Sequence, residues 1–110
     1  MATTGPAFSP RDIRVTIFFD ANGEFLRVEP DTFNISKSAN HEVVWETNPP
    51  DVPFTVKFQP DSPFHYPDFT HDQPCSGLVR RDVNGDSTRR YEYTVEAGGT
   101  TIDPGGIVNP

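Results

Sequence analysis

Residues 65–75, His-Tyr-Pro-Asp-Phe-Thr-His-Asp-Gln-Pro-Cys, bring together two imidazoles, two carboxylates and one thiol. Zinc and copper both take imidazole and thiolate donors, so His65, His71 and Cys75 are candidate metal ligands. Structural zinc sites usually supply ligands in close pairs, and the spacing His65-x5-His71-x3-Cys75 meets that rule only in its second half. A fourth ligand would have to be Asp68, Asp72 or the distant His41. The same residues also suit a polar loop whose side chains cap turns and face water. A third possibility pairs Cys75 as nucleophile with His71 or His65, which would further need an oxyanion donor. The chain has no phosphate-binding loop, no G-x-S-x-G and no H-E-x-x-H. The expectation is therefore a non-catalytic protein without a resident cofactor, with zinc or copper at His65, His71 and Cys75 as the alternative.

The same stretch carries Phe64, Tyr66 and Phe69 among prolines. Packed down, these rings would cap one end of a core. Left exposed, they would form a contact patch, since aromatic side chains dominate interface hot spots. The length of the Pro-rich segment 59–77 favours the contact patch, because long loops without regular structure are often binding segments. A protein partner is then expected at Phe64, Tyr66 and Phe69.

Two further groupings could bind ions. Asp82, Asn84 and Asp86 follow the first positions of a calcium loop, but Ser87 replaces the required glycine and Tyr93 the required terminal acid. A hairpin turn at Asn84-Gly85 accounts for these residues better. That hairpin would set Arg80 opposite Arg89, with Arg81 and Arg90 beside them, gathering four of the seven arginines. Facing like charges are costly unless relieved, so the cluster either binds an anion bidentately or pairs with Asp82, Asp86 or Glu92.

Short strands must hold these residues in place. Ile13, Val15, Ile17 and Phe19 alternate with Arg14 and Thr16, the pattern of a half-buried strand. Asn22-Gly23 predicts a hairpin turn, and Leu26 and Val28 lie on the returning strand. Phe33 and Ile35, Val43 and Trp45, and Phe54, Val56 and Phe58 repeat the alternation. Further strands are expected over 78–83, around Tyr91, Tyr93 and Val95, and around Ile107 and Val108. Twelve prolines and eight glycines interrupt the chain too often for long helices. The expected fold is an all-β, antiparallel sandwich of seven or eight strands, built as one domain over residues 11–110 behind a loose arm at 1–10.

At 110 residues the chain is large enough for one modest core, to which nine Phe, three Tyr and one Trp contribute. The net charge of −7 argues against general affinity for nucleic acid or anionic membranes. One cysteine allows no disulfide within the chain. The first residues lack the basic and apolar regions of a secretory leader, so a cytoplasmic location is expected; a chain stripped of its leader would start in the same way.

The run from Phe25 to Thr47 resembles the first half of a cupredoxin domain, with Leu26, Val28, Pro30, Phe33, Ile35, Val43 and Trp45 on the family outline. Residues 91–110, with Tyr91-x-Tyr93 and a closing Ile107-Val108, are similar to that family's end. The resemblance covers residues 13–58 and 91–110 and implies a Greek-key sandwich. It also implies where copper would sit: one His after the Val-x-Trp strand, then Cys, His and Met after the late Tyr-x-Tyr strand. Here those stretches read Asn-Pro-Pro-Asp-Val-Pro-Phe and Thr-Val-Glu-Ala-Gly-Gly-Thr-Thr-Ile-Asp-Pro-Gly-Gly, with none of the four ligands. A cupredoxin-like fold without blue copper is the resulting expectation.

Overall fold

The computed structural model describes residues 11–20, 22 and 24–110; the expected arm at 1–10 lies outside them, as do the side chains of Phe25 and Leu26. Among the described residues there are nine strands and no helix. They are β1 (Asp12–Phe19), β2 (Phe25–Glu29), β3 (Thr32–Ser36), β4 (Glu42–Asn48), β5 (Thr55–Phe58), β6 (Asp68–Thr70), β7 (Tyr91–Ala97), β8 (Thr100–Ile102) and β9 (Gly105–Asn109).

Two sheets result. The first has the order β2-β1-β4 and the second the order β3-β9-β7-β5-β6, with β8 also paired to β7. β8 and β9 share one edge of β7, pairing with Val95–Ala97 and with Tyr91–Glu92 respectively. The bend at Asp103-Pro104 separates them, because proline removes a ladder donor.

Both sheets are mixed, which corrects the expected purely antiparallel pairing. β1 runs parallel to β4 from Asp12↔Glu42 to Phe18↔Asn48, and β3 runs parallel to β9 from Thr32↔Gly105 to Ser36↔Asn109. Alternation fixes which face a side chain takes; it carries no information about which strand lies alongside. The strand expected over 78–83 is also absent. Val79 makes a single bridge to Phe64, and the chain then enters turns. Hence no hairpin forms about Asn84-Gly85; Gly85 instead packs against Pro110.

Local chemistry sets the turns. Asp20 accepts the backbone N–H groups of Asn22 and Glu24 at 2.8 and 2.9 Å, closing the β1–β2 connection with its side chain. Gly98 and Gly99, at φ of 58° and 77°, form the two-residue turn between β7 and β8. Two successive positive φ values match the twist of a hairpin, and glycine adopts them without strain.

The alternating residues meet between the sheets. Val15, Ile17, Val43 and Trp45 come from the first; Phe33, Ile35, Val56, Phe58, Tyr93, Val95 and Val108 come from the second. Trp45 packs edge-on to Phe33, Phe58 and Tyr93 at centroid distances of 6.5, 6.1 and 5.8 Å. Rings in this arrangement add to the stability already gained from buried area. Gly106 passes so close to the Phe33 ring that a side chain there would overlap it.

Candidate functional site

The segment 59–77 is more structured than a loop. Phe58 N–H donates to the Pro67 carbonyl at 2.8 Å, and β6 then pairs antiparallel with β5 through Val56↔Phe69. Further on, Trp45 N–H donates to Pro74 O at 3.0 Å and Ser76 N–H to Val43 O at 2.8 Å, so residues 74–76 line the edge of β4. Buried Ser76 also accepts the Val43 N–H with its hydroxyl at 2.8 Å. The segment thus joins the second sheet at β5 and the first at β4.

This anchoring divides the three aromatic candidates. Phe64 and Phe69 are 1% and 4% exposed, so the contact patch expected from them is corrected: they belong to the core. Phe69 stacks on Trp45 at 5.2 Å, and Phe64 meets Phe58 edge-on at 5.7 Å. The opposition of Phe69 to inward-facing Val56 turns its ring inside. Tyr66 is 68% exposed and stands on a turn locked from below. There the buried Ser62 hydroxyl donates to Tyr66 O at 2.9 Å and accepts the Phe64 N–H at 3.1 Å.

The metal candidates fall in three separate settings. His65 is exposed next to Tyr66. His71 follows β6, with its ring 6.3 Å from Phe54 and Nε2 3.6 Å from Asp72. Cys75 bridges Val44 at the edge of β4, and its thiol donates to Glu42 Oε1 at 3.4 Å. Among the described residues, no three His, Cys, Asp or Glu side chains form a group able to hold a metal. His41 uses Nδ1 to accept the Ser36 N–H at 2.9 Å. Burial holds the Cys75 thiol above its ordinary pKa; the Glu42 and Asp12 carboxylates add to this, and a backbone hydrogen bond at Gly77 offsets it in part. A thiol so held is protonated at neutral pH and a weak nucleophile.

The calcium candidates are occupied otherwise. Asp86 accepts both the N–H and the hydroxyl of Thr88, at 2.9 and 2.6 Å, which lowers its pKa. Asp82 lies 3.4 Å from Arg80.

The four arginines do not face one another as expected. Arg80 and Arg89 both reach Asp61, at 3.5 and 3.1 Å, and Arg90 pairs with Glu92 at 2.8 Å. Arg89 also stacks over Tyr91 at 4.2 Å. Arg81 has no ion pair or side-chain hydrogen bond among the described residues. The sequence-based pairing with Asp82 and Glu92 is seen; Asp61 was missed because it lies 19 residues before Arg80 on an unrelated turn.

The end of the sandwich formed by 48–54, 71–74 and 97–99 holds two shallow depressions, one flanked by Phe54, His71 and Gly98 and the other by Arg14, Glu46 and Asp51. Arg14 and Glu46 form a 2.7 Å ion pair there. No protein-family model matches this chain, and no curated protein matches it. Among the described residues, no helix is long and apolar enough to cross a membrane.

Proposed function

We propose that the chain is a non-catalytic binding module, a sandwich of cupredoxin type without the copper site, which presents Tyr66 to a protein partner. The observation that carries this proposal is a large aromatic side chain, 68% exposed, on a turn whose backbone is fixed by the buried Ser62. A fixed turn loses little conformational freedom on binding, so more of the contact energy remains as affinity. Exposed His65 and Asp68 lie close to Tyr66 in the chain and supply polar neighbours for a contact rim.

The cupredoxin reading is supported by Val28, Phe33, Ile35, Val43 and Trp45, which lie on the family outline and are all buried. The protonated thiol of Cys75 and the separate settings of His65 and His71 favour binding over catalysis or metal chemistry. Copper(II) added to the purified protein should therefore produce no intense blue absorption; its appearance would overturn the copper-free part of the proposal.

The partner-binding part is tested by placing a photo-crosslinking amino acid at position 66, with position 57 as control, in native cell extract. A protein captured from position 66 alone is then purified and its affinity measured. Tyr66→Ala should weaken it by about 2 kcal/mol or more with the melting temperature unchanged. Equal affinity of the variant and the native chain would sink the proposal.

A further inference from the structure

Lys37, Asn40, His41, Leu78, Val79 and Arg81 enclose a pocket of about 240 Å³ between the β3–β4 turn and the segment after Gly77. Its lining residues include three whose side chains carry or can accept positive charge and none with a carboxylate, in a protein whose net charge is −7. Each of the three retains a donor. Lys37 Nζ donates to Arg81 O at 3.0 Å and to Val83 O at 2.6 Å, which leaves one of its three N–H groups and its whole charge uncompensated by an acid. His41 accepts the Ser36 N–H on Nδ1 at 2.9 Å, so the neutral ring bears its proton on Nε2 as a donor. The Arg81 guanidinium has no partner among the described residues, unlike Arg80, Arg89 and Arg90, which are all paired with acids.

We propose that this pocket binds a phosphate group. Three donors from two chain segments, one of them a guanidinium fork, suit a compact dianion with several acceptor oxygens. Leu78 and Val79 supply an apolar wall on one side. The ammonium of Lys37 is held in position by its two carbonyl partners, so little of its side-chain freedom remains to be lost when the anion binds.

The test is a titration at constant ionic strength with inorganic phosphate and with phenyl phosphate, acetate serving as control anion, followed by calorimetry and by the side-chain N–H resonances of Lys37, His41 and Arg81. Saturable shifts confined to Lys37, His41 and Arg81 are expected with at least one of the two, and the tighter one identifies free phosphate or a phosphomonoester as the ligand. Arg81→Gln removes an exposed, unpaired group, so it should fold as the native chain and lose about tenfold or more in affinity. Lys57→Gln, an exposed cation on β5, should lose nothing. Linear, unsaturated shifts, equal losses in the two variants, or tighter binding of acetate than of either phosphate would each overturn the proposal.

Discussion

Tyr93 buries its hydroxyl, and neither it nor the nearby Trp45 Nε1 makes a hydrogen bond. Burial pushes the Tyr93 pKa well above the ordinary tyrosine value. A folded pKa above the unfolded one means that the folded chain holds the proton more tightly at alkaline pH. The resulting contribution is complete below about pH 10 and is lost as pH rises beyond it. The native protein should therefore lose stability in denaturant titrations above that pH, and Tyr93→Phe should lose markedly less. Identical alkaline slopes would contradict the burial of the hydroxyl. Since the variant removes an unsatisfied buried group without changing ring shape, its stability at neutral pH should be nearly unchanged. Asp61 offers a contrasting case. It serves both Arg80 and Arg89, yet all three side chains are partly exposed. Asp61→Asn should cost no more than about 1 kcal/mol, and less at high salt, by chemical denaturation.

At the scale of elements, the strands visible in the sequence were those long enough to repeat: Val15-Ile17-Phe19, Val43-Trp45 and Tyr91-Tyr93-Val95 each show the two-residue period and each face the core. β6 and β8, with three residues apiece, are too short to show a period. The five-residue spacing of Phe64 and Phe69 matches neither strand nor helix, so their burial could not be read; it depends on Ser62, Pro67 and the pairing of β6 with β5. The separation of His65, His71 and Cys75 was equally hidden, since it follows from β6 and the bridge at Cys75 lying on opposite sheets. The edge of β4 provides the test at this scale. Ser76→Ala removes the acceptor of the Val43 N–H and should cost about 1–3 kcal/mol. Hydrogen exchange at Val43 and Trp45 should quicken more than at Val95 in the other sheet. Uniform acceleration across both sheets would show that the serine does not act locally.

For the molecule as a whole, the ring cluster ties the sheets into one cooperative unit. Trp45 reports on it from the first sheet, while Phe58 and Tyr93 reach it from the second. Phe69→Ala should cost about 3–5 kcal/mol, a large part of the total for a domain of this size. Trp45 fluorescence and the far-ultraviolet signal of the strands should move together during unfolding of the native chain. Two separate transitions would mean that the sheets come apart independently. The strap running from Pro60 to Gly77 has a consequence for protease resistance. It is stitched to β5 through residues 67–70 and to β4 through residues 74–76, so it belongs to both sheets and is no surface appendage. Both attachments lie on the C-terminal side of exposed Tyr66, so a single nick beside that ring would leave the two sheets tied by the same fragment, and the clipped protein should hold together.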